Sequence, residues 1–189
     1  KASTGLSARL VAIVVAVMTV AGLIGAVVGT GQADARINGT GFRKTLWIDA
    51  CGMPTNGAFG NKSMAPGKVQ VRTWFKPQNK RTVILLDGMR AQYDFSGWEI
   101  NTNVQELVNR GVNVVEPIGG PASFYTDWNG GAGANDIPIK QETFLTSELP
   151  AYLQQQFGVA PNNNAIVGLS MSAGPARTPA GKHPEQFKV

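Results

Sequence analysis

The chain is poor in cysteine, in histidine and in clustered positive charge. Its 189 residues include one cysteine, Cys51, and one histidine, His183. A disulfide within this sequence and a cysteine-based metal site are therefore excluded, and we interpret Cys51 as a packing residue. The net charge is +5, without a run of Lys or Arg and without interleaved basic and aromatic side chains. This pattern excludes nucleic acid as a partner.

The first 35 residues are predicted to be a targeting segment rather than part of the fold. Residues 10–28 carry no charge and are almost entirely apolar, and the following Ala33-Asp34-Ala35 has the small-x-small pattern of a signal-peptidase site. An apolar stretch of 19 residues is longer than a usual signal-peptide core, so an uncleaved membrane anchor is the alternative. We expect a secreted or cell-envelope protein, with one domain over residues 36–189.

Alternating strand and helix signals predict an α/β domain. Val69–Phe75 alternates in polarity, which is typical of a half-buried antiparallel strand, whereas Thr82–Leu86 is a continuous β-rich run typical of a buried strand. Helical spacing follows at Val104–Val108 and at Gln141–Phe157, where Pro150 should kink or divide the helix. Further strands are predicted over Thr45–Asp49, Val112–Val115 and Ala165–Val167. This order requires a parallel sheet with helices on both faces.

A serine with small neighbours follows the last of these strands. Ser170 has Gly168 two residues before it and Ser172 two residues after it, and a possible helix begins there. On a tight strand-to-helix turn the serine hydroxyl projects from the sheet, and the next N–H, that of Met171, faces a developing oxyanion. This nucleophile elbow predicts an α/β-hydrolase fold. An ordinary glycine-serine turn is the alternative.

The second oxyanion donor of this fold comes from the loop after an earlier parallel strand. Here that loop is Asp87-Gly88-Met89-Arg90, directly after Thr82–Leu86. A plain loop glycine is the alternative interpretation of Gly88. Residues 123–138 are predicted to form a long surface loop with buried aromatic anchors, namely Phe124, Tyr125 and Trp128.

The chain also resembles a specific family, the antigen 85-type mycolyltransferases of mycolic-acid bacteria. The resemblance covers residues 63–189 and includes long, unusual motifs. These motifs are Leu85–Gln92, Asp94–Thr102, Ser123–Trp128, Glu142–Pro150, Gly168–Met171 and His183–Phe187.

This resemblance implies transfer of a mycoloyl group from trehalose monomycolate to a second trehalose monomycolate or to cell-wall arabinogalactan. It implies Ser170 as the nucleophile of an acyl-enzyme and the N–H groups of Met89 and Met171 as the oxyanion hole. Trehalose would contact Asp87, Arg90 and Asn101. It implies no metal and no cofactor. Without the resemblance, Asp87 and Arg90 could be a local salt bridge, and we interpret Trp98 and Trp128 as core or loop anchors rather than sugar platforms.

Two features depart from the family. Residues 103–113 do not keep the sequence proposed to bind fibronectin, so that property is not carried over. The only acid and base candidates after Ser170 are Glu185 and His183, and a helix between Ser170 and His183 would place the histidine about 20 Å away. We therefore expect the family's Glu and His to lie beyond Val189, and the chain to be C-terminally truncated and to have no normal turnover alone.

Two further expectations concern the part of the fold around the elbow. We expect the outer edge of the Ser170 strand to have no pairing partner among the residues that follow it, although such a strand should be central. Pro175 and Pro179 should destabilise the helix predicted after the elbow, because proline is unfavourable in a helix interior. Two other functions stay open: a secreted serine esterase, and a non-catalytic envelope protein that binds trehalose glycolipid through Asp87 and Arg90.

Overall fold

The computed structural model describes residues 42–50, 67–92, 94–128 and 139–188. The predicted targeting segment, its cleavage site and Cys51 lie outside the described residues. None of the helices in the described ranges has the length and hydropathy that crossing a membrane requires. The boundary of the domain at residue 36 therefore stays a prediction.

The described residues form a five-stranded mixed sheet, whose strands lie in the order Phe42–Asp49, Lys68–Phe75, Val112–Pro117, Arg81–Leu86 and Asn164–Gly168. The strands of this sheet are β1 (Phe42–Asp49), β2 (Lys68–Phe75), β3 (Arg81–Leu86), β4 (Val112–Pro117) and β7 (Asn164–Gly168). The pairs β1–β2 and β2–β4 are antiparallel, whereas β4–β3 and β3–β7 are parallel. A separate two-stranded ribbon joins β5 (Asp127–Trp128) to β6 (Ile139–Lys140).

Five helices complete the described part: α1 (Gly97–Asn101), α2 (Val104–Asn109), α3 (Gln141–Thr143), α4 (Leu149–Phe157) and α5 (Ala173–Lys182). A π-helical turn, Phe144–Glu148, joins α3 to α4, and a 3₁₀ turn, Ser170–Ser172, leads into α5. Every strand predicted from the sequence is present, with the predicted bounds extended by one to three residues at one end or both.

Helices cover both faces of the sheet. Successive side chains of a strand point to opposite faces. Ile84 and Leu86 of β3 pack in a core with Phe144 and Leu149, whereas Val83 of the same strand packs in a second core with the residues of α1 and α2. The α/β architecture predicted from the sequence is therefore confirmed.

The prediction that β2 is half-buried was wrong. Of its eight residues, only Lys68 and Arg72 are not buried. Trp74 belongs to the core under α1 and α2, and Val71 and Phe75 belong to the opposite core. The strand pairs with a neighbouring strand on each edge and packs against apolar residues on both faces. The alternation of polar and apolar residues in its sequence therefore does not mark a solvent-exposed face.

The long helix predicted over residues 141–157 is divided, as Pro150 suggested. The interruption is the π-helical turn Phe144–Glu148, and Pro150 lies in the first turn of α4. A proline lacks the N–H that would continue the helical ladder, and it is tolerated where a helix begins. The apolar face forms nevertheless, because Phe144, Leu145, Leu149 and Leu153 are all buried.

The expectation about the outer edge of β7 was also wrong. Phe187 forms a parallel bridge with Asn164, the first residue of β7. The Asn164 N–H donates to Gln186 O at 3.2 Å, and the Lys188 N–H donates to Asn164 O at 3.0 Å. Helix α5 forms although it contains both prolines. Pro175 lies in its first turn, where an N–H has no helical acceptor.

Candidate active site

Ser170 occupies a strained turn between β7 and α5. Its φ is +54°, in the left-handed region that non-glycine residues enter rarely. The turn that follows, Ser170–Ser172, leads directly into α5. Ser170 is exposed, so its hydroxyl does not point into packed interior. A serine held at positive φ between a strand and a helix is the geometry of a nucleophile elbow.

The elbow requires a glycine at position 168. A Cβ on Gly168 would lie 2.1 Å from the carbonyl oxygen of Ser172 and 2.4 Å from its carbonyl carbon. These atoms belong to the backbone and cannot be moved by a side-chain rotation. The requirement for a small residue before the nucleophile, predicted from the sequence, has this steric cause.

The loop after β3 lies against the elbow. A Cβ on Gly88 would be 3.4 Å from the Cβ of Ser170. The loop is closed by a turn in which the Ala91 N–H donates to Gly88 O at 3.1 Å. Among the described residues, no backbone hydrogen bond outside the helices and strands has the Met89 N–H or the Met171 N–H as its donor. The roles of these two amides as oxyanion donors stay a prediction.

A cavity of about 820 Å³ opens in front of this arrangement. Its lining includes Ser170 and four of the other predicted site residues, namely Asp87, Met89, Arg90 and Asn101. The Met171 side chain is not part of the lining. It is 8% exposed and packs in the core, and only its backbone belongs to the elbow.

The Asp87 carboxyl group is buried beside the first turn of α1. Both of its oxygens lie 3.0 Å from the Gly97 nitrogen and accept its N–H. Burial raises the pKa of Asp87, and hydrogen bonds from Gly97, Ser96 and Trp98 act in the opposite direction. Asp87 forms no ion pair with the exposed Arg90. The alternative of a local salt bridge between these two residues was therefore wrong.

Three side chains that sequence reasoning did not assign to the site hold the end of β3. The Asp87 N–H donates to the hydroxyl of Tyr125 at 3.1 Å. The Leu86 carbonyl accepts from Trp98 Nε1 and from Ser172 Oγ, both at 2.9 Å. Burial, together with the charge of Asp87, raises the pKa of Tyr125.

The aromatic residues near the site divide into anchors and exposed rings. Trp98, 3% exposed, is the core anchor that was predicted. The prediction of Trp128 as a buried anchor was wrong, because it is 37% exposed, although its Nε1–H donates to Ser123 O at 2.8 Å and ties it to the loop. The prediction for Phe124 as a buried anchor was wrong, because its ring is 44% exposed. Its φ of +53° turns the chain there. The prediction of Tyr125 as a buried anchor is confirmed.

The single histidine does not belong to this site. His183 follows the last residue of α5, and its Nδ1 lies 3.2 Å from an oxygen of Glu185. The 10 residues of α5 span about 15 Å. Neither His183 nor Glu185 is among the residues that line the cavity. This agrees with the interpretation of His183 as a helix-terminal residue.

The sheet, the elbow and the loop after β3 define an α/β-hydrolase. The chain belongs to the esterase family, whose model, described as "Putative esterase", matches residues 65–189. It is 43% identical over 192 aligned residues to the diacylglycerol acyltransferase/mycolyltransferase Ag85A of Mycobacterium tuberculosis, and 37% identical over 182 to Ag85B of Mycolicibacterium smegmatis. The chain spans about half, 52%, of the length of these relatives.

Solved structures agree with this assignment. MPT51 (FbpC1) of Mycobacterium tuberculosis superposes with a TM-score of 0.60 at 28% identity, over 77% of this chain and 48% of that one. An S-formylglutathione hydrolase from Agrobacterium tumefaciens gives a TM-score of 0.55 at 20% identity, over 79% of this chain and 56% of that one, which supports the fold alone. The resemblance to the antigen 85 mycolyltransferases is therefore confirmed.

Proposed function

We propose that the complete protein is an acyltransferase that moves a mycoloyl group from trehalose monomycolate to a second trehalose monomycolate or to cell-wall arabinogalactan. The observation that carries this proposal is Ser170, held at a φ of +54° at the mouth of the cavity. Relatives named diacylglycerol acyltransferase/mycolyltransferase support the choice of acyl transfer over other serine chemistry.

The reaction proceeds in two steps, acylation of Ser170 and transfer of the acyl group to the acceptor. Ser170 Oγ attacks the ester carbonyl of the donor, and its proton passes to a general base. The negative charge that develops on the carbonyl oxygen is stabilised by the Met89 and Met171 N–H groups. The ester C–O bond breaks, and the trehalose oxygen leaves with the proton from the base. An acceptor hydroxyl then attacks the acyl-enzyme carbonyl and gives its proton to the base, the bond between Ser170 Oγ and the acyl carbon breaks, and the base returns the proton to Ser170 Oγ.

The base is a separate requirement of this mechanism. None of the described residues lining the cavity is a histidine, so in the complete protein the base comes from outside this set. An acidic residue would orient it, as in other serine hydrolases. Of the groups that carry out acyl transfer at the ester carbonyl, we therefore assign only the nucleophile and the oxyanion hole to this chain.

The sugar-binding side of the cavity combines an acceptor with donors. Arg90 is exposed at the cavity and carries fixed N–H donors suited to sugar hydroxyls. The Asp87 carboxylate already accepts hydrogen bonds from Gly97, Ser96 and Trp98, and we assign its remaining acceptor capacity to a sugar hydroxyl. Asn101 uses its Nδ2 to donate to Gly97 O at 2.9 Å, so its amide oxygen is the group we assign to trehalose.

We infer a location at the cell envelope from the same reasoning. Trehalose mycolates and arabinogalactan are envelope components, and the apolar residues 10–28 with Ala33-Asp34-Ala35 would export the chain. Fractionation of cells that express the protein with a C-terminal tag tests this inference. Recovery in the cytoplasmic fraction would contradict it.

The decisive experiment uses the protein expressed from its complete reading frame. Purified enzyme is given labelled trehalose monomycolate, and the label is followed into dimycolate and into free mycolic acid. Ser170→Ala should lower dimycolate formation by about a thousandfold or more. Ser147→Ala, which alters an exposed serine outside the cavity, is the matched control.

Two outcomes would replace the proposal. Release of free mycolic acid without any dependence on trehalose acceptor would indicate an esterase. The second outcome is the non-catalytic alternative, a trehalose-glycolipid-binding protein. Failure of a fluorophosphonate to label Ser170, combined with saturable binding of trehalose monomycolate, would establish that function.

A further inference from the structure

The hydroxyl group of Ser172 lies between the two loops that form the site. Ser172 is fully buried, at 0% exposure, two residues after the nucleophile. On one side it contacts Leu169, which precedes Ser170, and on the other side it contacts Leu86, the last residue of β3. Leu86 in turn precedes the loop that carries Met89.

Three hydrogen-bond contacts converge on this one oxygen atom. The Leu169 N–H donates to Ser172 Oγ at 2.9 Å. The hydroxyl proton can go to Leu86 O at 2.9 Å or to Leu169 O at 3.0 Å. Each carbonyl also accepts a second donor, the Ser172 N–H at Leu169 O and the Trp98 indole N–H at Leu86 O, and the contact from Ser172 Oγ to Leu86 O is the one that joins the two strands.

The hydroxyl therefore connects two parallel strands just where their backbone pairing ends. The last paired residues of β3 and β7 are Leu86 and Gly168. Beyond them the path runs from the Leu169 N–H through Ser172 Oγ to the Leu86 carbonyl. An alanine at position 172 would leave the Leu169 N–H without this acceptor, whereas the Leu86 carbonyl would keep its bond from Trp98.

We propose that Ser172 is a positioning residue that sets the distance between the nucleophile of the elbow and the oxyanion loop after β3. This inference rests on the proposed function of Ser170. Because the oxyanion donors must lie close to the charge that develops in the transition state, a small shift of one loop against the other lowers the rate of acylation more than it weakens substrate binding.

The test measures the acylation of Ser170 by a fluorophosphonate and the turnover of trehalose monomycolate, using the protein from its complete reading frame. We expect Ser172→Ala to lower both the labelling rate and kcat by about tenfold, equivalent to about 1.4 kcal/mol. KM should stay within about twofold. Thr146→Val is the matched control, because it removes another buried hydroxyl, one that donates to Glu142 O at 2.8 Å within the divided helix.

The outcomes separate this inference from the proposed function. If folded Ser172→Ala protein is labelled at the wild-type rate, the positioning role is wrong and the acyltransferase proposal is unaffected. If the wild-type protein is not labelled at Ser170 at all, both are wrong. A merely structural role would lower the melting temperature in both Ser172→Ala and Thr146→Val but would leave the labelling rate and kcat of each unchanged.

Two further measurements apply if Ser172→Ala does not fold. Ser172→Cys retains a weak donor and acceptor, so its Ser170 should still be labelled, but more slowly than in the wild type. In the wild type, amide hydrogen exchange at Leu169 should be protected, as expected for a hydrogen-bonded N–H. Exchange at the rate of a free amide, or a Ser172→Cys rate equal to the wild type, would overturn the inference.

Discussion

Replacement of Gly168 by alanine tests the elbow geometry most directly. The added Cβ would lie 2.1 Å from the Ser172 carbonyl oxygen, and an ordinary contact begins near 3.4 Å, so the turn must open by about 1.3 Å. Gly168 is not at positive φ, so the effect is steric and not conformational. Overpacking of this kind costs about 1–3 kcal/mol of stability, and a displacement near 1 Å at a reacting group costs about 100-fold in rate.

The assay compares thermal unfolding with fluorophosphonate labelling of Ser170 in the protein from its complete reading frame. Gly168→Ala should lower the melting temperature and slow labelling by about 100-fold. Gly174→Ala is the matched control, because a Cβ there meets nothing within 4 Å and the residue lies in α5. That change should leave labelling unchanged and stability equal or slightly higher. Wild-type labelling in Gly168→Ala would refute the steric argument.

Three further changes test the surroundings of the site. Tyr125→Phe removes the acceptor of the Asp87 N–H, so urea unfolding should show a loss of about 1–3 kcal/mol, and an unchanged midpoint would contradict this. The pKa of Asp87 is raised from 3.8 in the folded state, so just above pH 3.8 the folded protein holds a proton that the unfolded chain has lost. The free energy of unfolding should therefore fall as the pH rises through this interval. Asp87→Asn should remove that fall in unfolding titrations. Gly120→Ala places a Cβ 2.4 Å from Gln141 Nε2 at a φ of +75°, so it should lower the melting temperature, whereas the open Gly174 position should not.

Local signals were sufficient to predict the elements that carry the site. Thr82–Leu86 is apolar without interruption, and the observed β3 is buried along nearly its whole length. The glycine and serine spacing around Ser170 located the elbow, since close backbone packing leaves room there for nothing larger at position 168. Such features depend on residues within a few positions of each other, and sequence patterns record them.

Contacts between distant segments could not be predicted in this way. The bond from Ser172 to Leu86 joins residues 86 positions apart, and the bond from Asp87 to Tyr125 joins residues 38 positions apart. A buried serine after a nucleophile and a tyrosine in a loop have many possible partners. Helix α1 has only five residues, which is too short for a helical period to be visible.

The parallel register explains why the predicted site residues nevertheless converge. In a parallel sheet the carboxyl ends of neighbouring strands lie at the same edge, and ligands bind in the crevice beyond that edge. Because Leu86 is paired with Gly168, the loops after β3 and β7 leave the sheet side by side. A slip of one residue in this pairing would turn the core side chains of β7 to the opposite face. The packing of Ile166 and Ala165 in opposite cores therefore holds Gly88 against Ser170, and the site geometry depends on core residues that never contact the substrate.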